Sequence, residues 1–397
     1  MEPIWRLPVE AIHDITASAG PLSFVGGAGD FDHEGRVRNP GDLGAQIEGA
    51  VANVAQALAA ESCKLSDVVR LKVFYTDDAA EDWDIVAALA PLFPDDPMPV
   101  ICPMPEPLQP FDGQVVQIQA IAQRGWRQGT NIRAVPLEAP DGPLSGRRVS
   151  AGLRAGEFIA IAPGTAPEIA DGVAQTHAIM ERHEATLAAL GAGMQDCVKM
   201  ESTFFGTTRA EWAPLSAARA SHFAEPGPPA TVIPCQRLNP KGALTKIDLM
   251  AMRQFRISYD KYIPRGDSWP DRVWDWPINL PYRQGISLRG MIWLGGQVPS
   301  EPYANTGDRM MAGQLEGQTR MTMSYIRDIM RGFGRSPADL KLMVCYYQCD
   351  EGEKTTHRMA EILAACTGNA LPPVTLVAKQ AMQTKHNTVE IWGVGQL

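Results

Sequence analysis

"QIEGAVANVAQALAAESCKLSDVVRLKVFYTDD", from Gln46 to Asp78, carries the pattern that decides the fold. Apolar residues recur at helical spacing for roughly five turns, a short loop ends in Asp67, and an alternating apolar segment follows. The same order of features returns in "QTHAIMERHEATLAALGAGMQDCVKMESTFFGTT", Gln175 to Thr208. It returns again in "QLEGQTRMTMSYIRDIMRGFGRSPADLKLMVCYYQCD", Gln314 to Asp350. The loop aspartates are then Asp67, Asp196 and Asp339. Self-similarity of this kind is the mark of one unit used three times.

Upstream of each copy lies a glycine-bearing strand end: "LSFVGGAGDFDHEG", "EFIAIAPGTAP" and "MIWLGGQVPSEP". Downstream, a proline-rich turn feeds two more strands, and a second helix fits around Trp83–Phe93, Glu211–Phe223 and Lys354–Cys366. The unit reads β-β-α-β-α-β-β, an α+β class with helices on one face of an open sheet. The expected repeats are 1–124, 149–257 and 281–397, joined by segments 125–148 and 258–280. The second joint holds "SWPDRVWDWPINLP", whose tryptophans Trp269, Trp274 and Trp276 either pin it to a neighbouring surface or line a pocket. A freely flexible linker would be rich in glycine and serine instead.

Composition narrows the function. With 45% hydrophobic and 20% charged residues in 397, the chain can bury sizeable cores. A net charge of −9 offers no electrostatic footprint for nucleic acid or an anionic membrane. No run approaches the roughly 20 apolar residues of a membrane span. The opening MEPIWRLPVEAIHD lacks the apolar centre of a secretory signal. The seven cysteines include no CxxC pair, so neither a zinc site nor a disulfide framework is expected. His177 and His183 do not share a helix face, so no metal is expected there either. The expected setting is cytoplasmic, with a small-molecule substrate, no cofactor, no nucleic-acid partner and no membrane partner.

The repeat resembles the Rid (YjgF-like) family of imine and enamine deaminases. The likeness spans all three copies and is strongest in the helix–Asp–strand block and in "LPYRQG…MIWLGGQVP". It implies a chorismate mutase-like fold. Members are usually single domains that form trimers with ligand sites between subunits. Three copies in one chain therefore imply an intramolecular pseudo-trimer with a central β-barrel, and a particle that is a monomer or loose dimer of the fused chain.

The family's deaminase site uses an arginine that binds the substrate carboxylate and a glutamate that positions water. The arginine position falls on Val100, Ala230 and Val374, and the glutamate position on Gln119, Met250 and Trp392. Ordinary 2-imino-acid deamination is therefore not expected. Other parts of the pattern persist: Tyr282 matches the family's tyrosine, His13 stands at that place in the first repeat, Gln297 keeps "GGQVP", and Cys102 keeps a family cysteine.

The leading expectation is a hydrolase acting on a C–N bond (imine, enamine or amide, possibly cyclic) at one cleft between repeats. The alternative is a non-catalytic metabolite-binding or scaffold protein. Candidate catalytic residues are Glu201, Lys72, His13 and Tyr282. Lys72 and Glu201 occupy equivalent places on a strand face expected to be buried, where each must pair or meet a ligand. His13 is either a general base or an ordinary surface histidine. Candidate substrate-binding residues are Gln297, Cys102, Arg237, Thr231 and Thr375. For Cys102 the competing reading is a small buried core residue.

Overall fold

The structure is a computed structural model; it describes residues 5–76, 80–130, 132–138, 144, 146, 149–253, 274, 276–302, 306–384 and 386–397. The expected β-β-α-β-α-β-β order is present three times. The first unit comprises β1 (Thr16–Ala19), β2 (Leu22–Ala28), α1 (Leu43–Ala60), β3 (Val68–Tyr75), α2 (Asp82–Leu89), β4 (Val100–Pro105) and β5 (Val116–Ala122). A short strand β6 (Arg133–Pro136) precedes the second unit, made of β7 (Ser150–Ala155), β8 (Phe158–Gly164), α3 (Gly172–Ala189), β9 (Cys197–Phe205), α4 (Arg209–Ala220), β10 (Ala230–Cys235) and β11 (Thr245–Met252). The third runs through β12 (Gly285–Leu288), β13 (Met291–Leu294), α5 (Leu315–Gly332), β14 (Leu340–Gln348), α6 (Glu353–Cys366), β15 (Val374–Lys379) and β16 (Val389–Gln396). The sheet orders are β1-β2-β5-β3-β4, β10-β9-β11-β8-β7-β6 and β12-β13-β16-β14-β15. Part of the joint expected at 125–148 is thus a strand, since β6 pairs antiparallel with β7. Trp269, in the other joint, lies outside the described residues.

Recurrent polar residues explain the recurrent local structure. Asp67, Asp196 and Asp339 each accept a hydrogen bond from a backbone N–H three residues earlier, at 2.8–2.9 Å. That bond closes the turn which launches β3, β9 and β14. A buried glutamine in the first turn of each long helix ties two loops together. Gln46 donates to Asn39 O and Gly113 O and accepts from Val115 N. Gln175 does the same with Ile169, Gly242 and Leu244. In the third unit the counterpart is Gln318, with Met310, His386 and Thr388. The third copy is therefore in register at Gln318, one helical turn beyond Gln314.

Alternation along the central strands holds except at their starts. Leu71, Val73 and Tyr75 pack on the helix side, as does Val68, while Val69 and Phe74 face away. A register shift between Val68 and Arg70 exchanges the faces of the first two residues. Equivalent shifts occur opposite β9, between Met250 and Ala251, and in β14 between Leu340 and Leu342. They place Val198 on the helix-free side and Leu340 among the helices. A bulge turns a strict period of two into the observed pattern without altering the rest of the strand.

The helix-free faces of all three sheets contribute to one apolar core. It includes Phe24, Phe74 and Met104 from the first unit, Phe158, Val198 and Ile233 from the second, and Trp293, Tyr346 and Trp392 from the third. Burying large aromatic and branched side chains together is the dominant favourable term in such a contact.

Candidate active site

Strand pairing defines equivalent positions across the units. Lys72 lies opposite Cys102 and Gln119, Glu201 opposite Thr231 and Asp248, and Val344 opposite Thr375 and Trp392. The acidic position of the second unit is therefore Asp248, two residues before the expected Met250. One alternation earlier on the same face stand Gln117, Lys246 and Glu390. Each reaches a neighbouring unit at the same place. Gln117 Nε2 donates to Leu376 O at 2.7 Å, and Lys246 Nζ donates to Pro103 O at 3.0 Å. A carboxylate can only accept, and Glu390 Oε1 takes the N–H of Val232 at 3.4 Å.

Three chemically different clefts result. Gln117 satisfies its amide on the neighbouring backbone. Lys246 is neutralised by Asp82 at 2.6 Å. Glu390 instead forms part of the wall of a cavity of about 60 Å³ between the second and third units. Its other lining residues include Trp212, Ser216, Trp274, Trp276, Tyr282 and Arg309.

Glu390 is only 4% exposed. Burial pushes its pKa up to about 7, against the opposing influence of Arg309 and Lys199. A carboxyl group that is part acid and part base at neutral pH suits proton transfer. Gly296, the second glycine of "GGQVP", makes the approach possible. A β-carbon there would lie 2.1 Å from Glu390 Oε1 and 2.8 Å from Thr231 Oγ1. Arg309 donates to Ser300 Oγ at 2.6 Å and Gly307 O at 2.8 Å. Burial brings its pKa down to about 10 despite Glu390, so it remains a cation at neutral pH.

The aromatic wall is held from behind. Trp274 Nε1 donates to Gln297 Oε1 at 3.1 Å, and Gln297 Nε2 donates to Gln284 Oε1 at 2.7 Å. Trp276 packs edge-on against Trp274 and Tyr282. Trp274 and Trp276 thus satisfy both readings of the joint, packing on neighbours and lining a pocket. Burial raises the Tyr282 hydroxyl's pKa, offset in part by Arg219.

Of the sequence candidates, Tyr282 lines this cavity, Thr231 sits beside Glu390, and Gln297 supports Trp274. Lys72 and Glu201 do meet, at 2.8 Å, but within a buried charge cluster outside the cavity lining. Arg70 bridges Glu201 at 2.9 Å and Asp248 at 2.5 Å, and Lys72 stands 3.6 Å from Asp248. Burial alone would raise the pKa of Glu201, but Lys72 and Arg70 overcome it and hold the group ionised. Cys102 is buried nearby, and desolvation pushes its thiol up to about 12, away from nucleophilic use.

The remaining candidates lie elsewhere. His13 accepts from Leu7 N through Nε2 at 3.0 Å, and its other ring nitrogen lies 2.9 Å from Ala11 O. Burial lowers its pKa, which favours a neutral, locally bound ring. Arg237 donates to Ala80 O at 3.0 Å. Thr375 accepts from Gln119 Nε2 at 3.0 Å, at the junction of the third and first units. Sequence reading missed Glu390 and Arg309. A lone glutamate in the apolar strand "VEIWGVG" was the available signal for the first. Among the described residues no group of three or more His, Cys, Asp or Glu is placed to hold a metal, and no helix is long and apolar enough to cross a membrane.

No family model and no curated protein matches the sequence. Among solved structures, a chorismatase is similar over 83% of this chain and 93% of its own, at 15% identity and a TM-score of 0.52. The three-unit α+β architecture described above is thus a chorismatase-like fold. Single-unit structures also match. A member of the YjgF/YER057c/UK114 family from Mycobacterium tuberculosis is 23% identical over 31% of this chain and 99% of its own, with a TM-score of 0.28. TdcF of E. coli with bound serine is 20% identical over 32% of this chain and 95% of its own, with a TM-score of 0.27.

Proposed function

We propose that the chain is a hydrolase of a small unsaturated metabolite, working in the cavity between its second and third units with Glu390 as the general acid and base. The observation that carries this reading is the buried Glu390 carboxyl in the cavity wall, with a pKa near 7. The bond cleaved is the C–N bond of an enamine or imine, or the corresponding C–O bond of an enol ether. In both vinyl cases Glu390 protonates carbon and leaves an iminium or oxocarbenium ion. Water adds to that ion and returns a proton to Glu390, and the adduct collapses to a ketone and an amine or alcohol. Arg309 binds a carboxylate of the substrate, and Trp274, Trp276 and Tyr282 hold its apolar body. The chorismatase-like fold supports the enol-ether version, and the missing arginine clamp argues against ordinary imino-acid deamination.

The site belongs to a closed pseudo-trimer of units 1–124, 149–257 and 281–397 around a central β-barrel. The cyclic set of contacts made by Gln117, Lys246 and Glu390 supports that closure. The test uses two probes, chorismate and freshly generated 2-iminopropionate. Turnover of chorismate, lowered roughly 10²–10⁴-fold in Glu390→Gln, is the expected result. Saturable binding of chorismate without turnover would identify a non-catalytic binding protein instead.

A further inference from the structure

Arg219 is fully buried, and no carboxylate pairs with it among the described residues. It belongs to a face of α4 on which Trp212, Ser216 and Arg219 follow one another at spacings of four and three. Its Nη2 donates to Ser216 Oγ at 2.7 Å, while Nε and Nη1 have no hydrogen-bond partner. A guanidinium without a counter-charge is costly in a low-dielectric interior, and buried charges are ordinarily paired. Burial raises the pKa of the Tyr282 hydroxyl and Arg219 opposes that rise, so the two side chains are neighbours. That hydroxyl nevertheless has no hydrogen-bond partner, and neither has Trp212 Nε1.

Trp212, Ser216 and Tyr282 all line the cavity that holds Glu390. A hydroxyl that accepts from a guanidinium keeps its own proton for another acceptor. Ser216 has no such acceptor among the described residues. The α4 end of the cavity therefore presents an indole N–H, a serine O–H and a tyrosine O–H, with a fixed positive charge behind them. Donors gathered without an acceptor fit an anion. This end is distinct from the proposed acid: Arg309 is among the charges that act on Glu390 and Arg219 is not.

We propose that the α4 end of the cavity is a second anion subsite, where Trp212, Ser216 and Tyr282 bind a carboxylate of the substrate and Arg219 supplies the counter-charge through Ser216. This rests on the reading of the cavity as the substrate site. Arg219 is a positioning residue, since it acts through the serine hydroxyl. Arg309 serves the Glu390 end, so the substrate is a dicarboxylate held at both ends. A cavity of about 60 Å³ favours a planar carboxylate over a bulkier phosphate. The helix thus provides the positive charge that the strand positions Val100, Ala230 and Val374 do not.

The experiment follows the indole N–H signal of Trp212 by heteronuclear NMR, with the signal assigned by its loss in Trp212→Phe. Crotonate is the probe and crotonamide its neutral counterpart. Crotonate should shift the signal saturably, and crotonamide should bind about tenfold more weakly or worse. Arg219→Met should weaken crotonate by about tenfold or more and leave crotonamide within about twofold. Its melting temperature should stay at or above the parent's, because an unmatched buried cation is removed. Ser216→Ala keeps the charge, breaks its route to the cavity, and should weaken crotonate in the same direction. Unchanged crotonate affinity in Arg219→Met, or crotonamide binding as tightly as crotonate, overturns the inference. A lower melting temperature with unchanged affinity marks a purely structural arginine and overturns it too. Should Arg219→Met be too unstable to titrate, Ser216→Ala decides alone. The titration needs no turnover. Binding as expected without turnover of chorismate sinks the catalytic reading alone, and a silent Trp212 signal beside Glu390-dependent turnover sinks this inference alone.

Discussion

Glu201→Gln isolates what the buried charge cluster does. The substitution keeps shape and removes one negative charge from a group in which Arg70, Lys72 and Lys199 face Glu201 and Asp248. Arg70 and Lys72 would be left with Asp248 alone, and Lys72 stands 3.6 Å from it. Removing one partner of a buried pair strands charge in a low-dielectric interior and costs about 3–5 kcal/mol. At roughly 2 °C per kcal/mol for a chain of this size, the melting temperature should fall by about 6–10 °C. The same cluster gives a pH signature. Glu201 is ionised in the fold more readily than in the unfolded chain, so its contribution is present above the ordinary carboxylate pKa and is lost on acidification through the lower folded value. The assay is calorimetry of parent and variant between pH 3 and 8, and the gap should close toward the acidic end. Because Glu201 does not line the cavity, turnover at a temperature where the variant is folded should remain within a few-fold of the parent. A melting temperature within a degree of the parent, combined with abolished turnover, would refute the structural reading of this pair.

Glu390→Gln should behave in the opposite way: its folded pKa lies above the unfolded value, so the carboxyl lowers stability as pH rises from about 4.5 to about 7. The variant should match the parent near pH 4 and exceed it at pH 8 by on the order of 3 kcal/mol, as read from denaturant midpoints at both values. Gly296→Ala would drive a β-carbon into Glu390 and Thr231, and should cost about 1–3 kcal/mol in chemical denaturation while reducing turnover. Light scattering should give a particle of one 43.1 kDa chain or a loose dimer; a stable trimer of chains, with nine units, contradicts the fused pseudo-trimer.

The order of elements was legible because helix and strand periods differ and because the pattern occurs three times. Register was less so. Gln314 and Gln318 lie four residues apart on one helix face, and only the loop carbonyls that Gln318 binds identify the equivalent residue. Strand alternation predicted the inward face of Lys72 and Glu201, but the bulges that turn Val69 and Val198 inward leave no mark in a period of two. The same limitation placed the acidic position at Met250 when strand pairing puts Asp248 opposite Glu201. Tyr282 could be found from its motif, whereas Arg309 sits in a loop whose path depends on packing against the third unit.

Under the proposed function, the three inter-unit positions account for a repeated architecture with a single active centre. A glycine and a polar side chain recur at two of them: Gly27 lies against Gln117 and Thr375, and Gly296 against Glu390 and Thr231. An amide at Gln117 binds a backbone carbonyl and cannot supply a proton at neutral pH. The ammonium of Lys246 is committed to Pro103 O and to Asp82. Only a carboxyl can serve as acid and then base from such a position, provided burial holds it near neutrality and no direct ion pair fixes its charge. Glu390 meets those conditions because Lys199 and Arg309 act on it without capturing it, their own hydrogen bonds going to Thr231, Leu294, Ser300 and Gly307. On the proposed reading, chemical asymmetry at one equivalent position, on an otherwise shared frame, is sufficient to confine proton transfer to the cleft between the second and third units.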